Sequence, residues 1–219
     1  MATAASLLQS TVGKKVVMAV TGVILVGFII AHVAGNLLVF AGPDELNAYS
    51  RLLKSNMELL WGARLVLLAS AVLHVWSALG VTRASWAARP IPYGKREPQV
   101  TTWAARTMRV GGVVLLLFIV FHLLHFTAGV IQPVPFSETD VYANVVGGFS
   151  VPWVAAIYLV AMVALGGHLY HGAWAAFRTL GLRRPSHNPT QRSVAVLIAV
   201  AVWAGFTAIV VAIVAGAVR

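Results

Sequence analysis

The chain has no cysteine, which excludes disulfides, thiolate metal sites and iron–sulfur ligation within it; any such cluster must belong to a partner. Charge is scarce as well. Only 10% of residues are Asp, Glu, Lys or Arg, against about 25% in a soluble domain, and 59% are hydrophobic, so the composition is that of an integral membrane protein. Acids are the rarer sign, with six Asp and Glu against sixteen Lys and Arg and a net charge of +10. No basic stretch is interleaved with aromatics in the manner of a nucleic-acid surface, so no nucleic-acid partner is expected, and the excess has a better explanation in topology.

What the chain does have is apolar runs. Five predicted spans cover about residues 16–40, 59–81, 110–131, 152–177 and 193–218, each long enough to cross a bilayer as a helix. The first, after Lys14 and Lys15, exceeds a signal-peptide core and lacks a convincing cleavage site, so it reads as retained. Ser10 and Thr11 are its candidate caps. Gly42-Pro43-Asp44 ends it, and Glu45 to Glu58 reads as an amphipathic connection with Asn47, Tyr49, Arg51 and Lys54. Pro90, Pro92 and Gly94 prevent a continuous helix in the basic loop Arg83 to Arg109. Gln132-Pro133-Val134-Pro135 stops the third span, Ser137 to Ser150 reads as a short acidic-to-neutral loop, and Pro152 is harmless in the first turn of the fourth. A second basic loop runs from Arg178 to Arg192. The expected fold is a single all-α membrane domain over residues 1–219, a five-helix bundle with no soluble domain.

With five spans, Lys14, Lys15, Arg83, Arg89, Lys95, Arg96, Arg106, Arg109, Arg178, Arg183, Arg184 and Arg192 share one side, and only Arg51, Lys54, Arg64 and Arg219 lie at or near the other. The positive-inside rule then predicts a cytoplasmic N-terminus and an external C-terminus. Trp61, Trp86, Trp103 and Trp153 fall near span ends, where indole favours the interface.

Histidine is the anomaly. No charged residue occurs from Val110 to Ile131, yet His122 and His125 sit inside that run, and His32, His74 and His168 occupy comparable positions in three others. Ionisable side chains within a membrane span are costly and mark function by default. Counting 1.5 Å per residue from the basic side, His32 lies about 25 Å from Lys15, and His122 and His125 about 20 and 24 Å from Arg109. His74 lies about 14 Å from Arg83, and His168 and His171 about 15 and 10 Å from Arg178. Spans one and three thus supply an outer histidine level, and spans two and four an inner one. Two levels of facing imidazoles are what two bis-histidine haems require, each iron taking a neutral ring nitrogen from either side. Gly35 and Gly172, three and four residues beyond His32 and His168, share their ligands' helix faces. A divalent-metal site would gather three or four ligands, often with carboxylates, and a proton path would use intramembrane acids; the spans contain no Asp or Glu. His187 reads as a solvated loop residue.

Several stretches then resemble a known family. Ser10-Thr11-Val12-Gly13-Lys14-Lys15, Met18-Ala19-Val20-Thr21-Gly22, His32-Val33-Ala34-Gly35-Asn36-Leu37 and Asn47-Ala48-Tyr49 look like the cytochrome b558-type di-haem membrane anchor of succinate:quinone oxidoreductase (succinate dehydrogenase or fumarate reductase). Leu73-His74-Val75, Phe121-His122 and His168-Leu169-Tyr170-His171-Gly172-Ala173-Trp174 extend the resemblance to four of the five spans. The fifth contributes only length and hydrophobicity.

The resemblance implies an anchor in the bacterial cytoplasmic membrane, with two b haems beneath a cytoplasmic flavoprotein subunit and an iron–sulfur subunit. Electrons would pass from the iron–sulfur clusters through the inner haem to the outer one, and menaquinone or ubiquinone would be reduced at the anchor. No flavin or dicarboxylate site is expected in this chain, and quinol:fumarate reduction would use the same architecture. Depth leaves His122 and His125 equivalent, and likewise His168 and His171. The family pattern matches His32 and His122 to the outer haem and His74 and His168 to the inner, leaving His125 and His171 for supporting hydrogen bonds. Quinone would meet Ser10, Lys14 or Arg106 near the inner haem, the preferred side, or Glu58 or Lys54 near the outer. Two other classes are a di-haem anchor of another respiratory complex, such as a formate dehydrogenase or hydrogenase, and a non-redox transporter or scaffold with structural histidines.

Overall fold

The computed structural model describes residues 9–88, 103–182 and 188–219. His187, Arg89, Lys95, Arg96, Arg183 and Arg184, and the loop breakers Pro90, Pro92 and Gly94, lie outside the described residues. The long helices are α1 (Thr11–Asn36), α3 (Met57–Ala87), α4 (Trp103–His122), α6 (Pro152–Thr179) and α7 (Asn188–Val214), and two short ones intervene, α2 (Pro43–Lys54) and α5 (Val141–Phe149). Among the described residues, five segments are long and apolar enough to cross a membrane: Thr11–Ala41, Met57–Ala87, Arg106–Thr127, Pro152–Thr179 and Asn188–Val214. The expected all-α five-span architecture is therefore the observed one. The second span runs six residues further than its apolar core and the fifth begins at Asn188, because backbone hydrogen bonding continues into the interface beyond the apolar run.

Helix ends follow local chemistry. Ser10 caps α1, its Oγ accepting from the Gly13 N–H at 2.9 Å. A 3₁₀ turn, Leu37–Ala41, tightens the other end, and Gly42 at φ 112° reverses the chain in a conformation L side chains avoid, directly ahead of Pro43 in the first turn of α2. Asn56 caps α3 through Leu59 N–H. The stretch expected as a loop, Ser137 to Ser150, contains α5 instead. Asp140 starts that helix by accepting from Ala143 N–H at 2.9 Å, a cap that an acidic-to-neutral reading of the loop overlooks.

α1 packs on α3, α6 and α7; α6 packs on α4 and α7. Around the ring α1, α3, α4, α6, three edges are closed by helix packing, whereas α3 and α4 are not closely packed, and neither diagonal pair, α1 with α4 or α3 with α6, is in close backbone contact among the described residues. In lipid no hydrophobic force draws helices together, so close approach depends on small residues. A Cβ on Gly205 would sit 2.6 Å from Val33 Cγ2, and one on Gly35 would sit 2.5 Å from Tyr49 Cε1; these glycines set the contacts of α7 with α1 and of α2 with α1.

The two ends differ. At the basic end Lys14 lies against Gly80 and over the Trp76 ring at 5.7 Å, Arg109 sits over Trp86 at 5.5 Å, and Lys15 and Arg178 line one cleft. At the far end α2 and α5 pack together as a polar cap. Asn47 donates to Asp140 at 3.0 Å and accepts from Tyr142 N–H at 3.1 Å, Lys54 donates to Glu138 O at 2.7 Å, and Tyr142 Oη donates to Arg219 O at 2.9 Å. Beneath it lies a core of Val39, Leu46, Val145, Phe149, Val154, Tyr158, Ile209 and Ile213.

Gly205→Ala should destabilise the bundle by about 1–3 kcal/mol, since β-branched Val33 has little freedom to retreat. Gly27→Ala, where a Cβ meets nothing within 4 Å, should be neutral or stabilising because it removes helix-glycine flexibility. Thermal unfolding of both variants in detergent checks the difference in sign. The Asp140 carboxyl is held below its ordinary range by the Ala143 N–H bond and then by Asn47. A lowered folded pKa gives stability that is present above the unfolded value, about 4, and is lost as pH falls through the folded one. Asp140→Asn should therefore flatten the acid limb of the unfolding temperature measured between neutral pH and pH 3.

Candidate functional site

Four histidines meet in two pairs, each across a diagonal of the helix ring. His32 on α1 faces His122 on α4 with ring centres 5.9 Å apart, and His74 on α3 faces His168 on α6 at 6.3 Å. Gly22, against which His74 packs, precedes His32 by ten residues on α1, so the pairs lie about 15 Å apart along the bundle. His125 is not the ring that meets His32; it lies in the π turn Leu123–Thr127, buried and turned to Tyr158. The pairing thus separates His122 from His125, and His168 from His171, which depth alone left equivalent.

Hydrogen bonding fixes several ring faces. His74 Nδ1 lies 3.1 Å from Met18 O and 3.3 Å from Thr21 Oγ1. A carbonyl only accepts, so Nδ1 carries the hydrogen and Nε2 keeps its lone pair. Tyr158 Oη lies 3.2 Å from His122 Nδ1 and 3.1 Å from His125 Nδ1. Asn36 donates to His32 O at 2.8 Å and its amide nitrogen lies 3.3 Å from His32 Nδ1, while Phe28 stacks on the His32 ring at 5.2 Å. Among the described residues, the buried Nδ1 of His168 and that of His171 meet no hydrogen-bond partner.

Two imidazole nitrogens bound on opposite sides of one metal at about 2 Å, with each ring centre about 1 Å further out, give ring centres ~6 Å apart. Both pairs have that spacing. It also suits two aromatic rings packed edge to face, so distance alone does not distinguish a ligand pair from a packing contact. Three further features are compatible with a ligand pair: among the described residues neither pair's helices pack extensively on one another, the rings stand at two levels, and the Nδ1 of His74 is bound to a carbonyl, which leaves Nε2 with its lone pair. Among the described residues no three of His, Cys, Asp and Glu converge on a point that could hold a bare metal ion. Two imidazoles per level fit a metal whose remaining positions are filled by a macrocycle, and the apolar, aromatic surroundings suit a flat apolar body.

The glycines expected beside the ligands differ in what adjoins them. Gly35 accommodates the Tyr49 ring, and a Cβ at Gly172 would meet nothing within 4 Å. The glycines facing imidazoles are Gly22 against His74, Gly112 against His168 and Gly148 against His125. Gly22 falls in the Met18-to-Gly22 motif; Gly112 and Gly148 carried no sequence signal, being one of a pair in an apolar run. Tyr158 was also missed, since a tyrosine in a span is unexceptional until its two histidine neighbours are known.

The residues expected near quinone stand at both ends of the bundle. Ser10 caps α1, Lys14 lies along Gly80 and Trp76, and Arg106 is exposed near the start of α4. At the far end Glu58 is exposed in the first turn of α3, and Lys54 is bound to Glu138 O. A cleft of about 340 Å³ at the basic end is lined by Val12, Lys15, Arg178 and Thr179. No protein-family model, curated protein or solved structure matches the chain.

Proposed function

We propose that the chain is a di-haem cytochrome b membrane anchor that carries electrons between a partner dehydrogenase and quinone, as the membrane subunit of a succinate:quinone oxidoreductase. The observation that carries the reading is the pair of histidine contacts, His32 with His122 and His74 with His168, stacked at two levels across both diagonals of the helix ring. Bound at these levels, haem would supply reversible one-electron transfer. The chain's own part is to present neutral imidazole nitrogens, to hold His74 by Met18 O and His122 by Tyr158, and to surround the rings with apolar and aromatic side chains that keep water away. The choice of succinate dehydrogenase over another respiratory complex rests on the resemblance of the His32-to-Asn36 and Lys14-Lys15 stretches.

In this reading the basic end faces the bacterial cytoplasm, as the Lys and Arg distribution favours, and the pair His74 and His168 is the inner one. The flavoprotein and iron–sulfur subunits dock on that face, along the Arg83 to Arg109 and Arg178 to Arg192 segments. Menaquinone or ubiquinone accepts the electrons at the membrane interface, preferably near the inner pair.

The reduced-minus-oxidised spectrum of the purified chain should show b-type haem, and haem content across six variants tests the ligand map. His74→Ala and His168→Ala should each abolish the inner haem and leave the outer, and His32→Ala and His122→Ala should do the reverse, because a six-coordinate iron loses one bond outright. His125→Ala and His171→Ala should keep both haems. If His125 proves indispensable and His122 dispensable, the map is wrong. Subunits that co-purify with the chain identify the complex. A partner cross-linked to the face of Asp44, Glu45, Glu138 and Asp140 would overturn both the orientation and the docking face.

A further inference from the structure

Tyr158 stands where the outer histidine level meets the far-end core. It is 5% exposed, and the rings of Phe118, Phe121, Phe126 and Phe149 surround it at 4.9, 6.0, 5.7 and 4.8 Å. The two contacts its hydroxyl makes with side chains are to His122 and His125, both through Nδ1. A phenol has one hydrogen to donate and can accept another, so its two imidazole neighbours cannot be treated alike.

We propose that Tyr158 is a positioning residue for His122: its oxygen accepts from His122 Nδ1–H while its single hydrogen is donated to His125 Nδ1. The inference rests on the haem reading and deepens it. If the hydroxyl instead donated to His122, that ring would carry its hydrogen on Nε2 and could not bind a metal through it. With His122 Nε2 as ligand, Nδ1 bears the hydrogen and needs an acceptor, which in this apolar surrounding is Tyr158. The hydroxyl hydrogen must then be held elsewhere, and His125 is the neighbour that can accept it. His125 thus acts through Tyr158. Its ring is held close against α5, where a Cβ on Gly148 would sit 3.0 Å from Cε1 and 3.1 Å from Nε2, so it has little room to turn away. The π turn that carries His125 places both rings on the same hydroxyl, and such turns recur at functional sites.

A hydrogen bond accepted from the far nitrogen makes an imidazole a stronger donor to its metal and favours the oxidised ion. Tyr158→Phe removes the hydroxyl and keeps the ring among its aromatic neighbours. Redox titration of the haem-loaded chain, with the two waves assigned by His74→Ala and His32→Ala, should show the outer haem shifted to higher potential and the inner one unmoved, at full haem content. His125→Ala removes the acceptor of the hydroxyl hydrogen, which weakens the oxygen as acceptor for His122 Nδ1–H, and should raise the same potential. The double variant should shift it no further than Tyr158→Phe alone, because residues acting through one bond are not additive. An outer potential unmoved in Tyr158→Phe, or fully additive shifts in the double variant, would overturn the proposal while leaving the di-haem reading intact. A wild-type chain that binds no haem would sink both.

Discussion

A polar ring inside the hydrocarbon of a membrane has no water to turn to, so every nitrogen it buries must be satisfied by the protein or by something the protein holds. Much of this bundle is arranged around that demand. His74 reaches across to α1, where Met18 O and Thr21 Oγ1 receive it, and the α1–α3 contact closes at the same point through Gly22. His122 and His125 converge on one hydroxyl of α6, and the helix that carries them opens into a π turn there rather than continuing as α. His32 lies between Phe28 and Asn36 on its own helix and Phe206 on α7. Each ring is thereby tied to the contact between two helices or to its own helix's polar neighbour.

Packing then follows a rule different from that of a soluble core. The long helices are apolar nearly all round, so burial of an apolar stripe does not orient them. Shape does. Gly205 admits Val33, Gly35 admits Tyr49, and Gly166 lies against Trp203, so α1, α6 and α7 meet at fixed points. Polar fastening is concentrated at the far end, where Asn47, Asp140, Asn144 and Ser137 join α2 to α5 and to the segment before it through part-buried hydrogen bonds.

The sequence makes the spans legible because twenty apolar residues without charge have few other uses, and it makes the histidine levels legible because rise per residue converts chain position into depth. Depth says nothing about azimuth. His122 and His125 are three residues apart, neighbours on a regular helix, and the local widening of the backbone that gives them different partners has no signature in Leu123-Leu124-His125-Phe126. α5 was hidden for a similar reason: Val141 to Phe149 is short, apolar and carries two adjacent glycines, so only its Asp140 cap hints at a helix. Gly35 and Gly172 were read by spacing from a histidine on the same helix, whereas the glycines that face imidazoles mostly sit on the neighbouring helix, where spacing along one chain segment gives no information.

The two levels are not equivalent, and the difference lies in what surrounds them. The pair His32 and His122 adjoins the far-end core and the capped α2–α5 layer, with Tyr158, Phe118 and Phe206 filling the space between helices. The pair His74 and His168 has one ring fixed by α1, while among the described residues His168 buries an Nδ1 that meets no partner, and His171 one turn further does the same. Both unpartnered nitrogens lie on α6 toward the basic end, beyond which Arg178 stacks on Trp174. Among the described residues, hydrogen bonds therefore reach both pairs, but at the basic-end level they reach only His74. A ring with fewer polar contacts moves more readily when a helix end shifts, because fewer internal contacts must be rearranged.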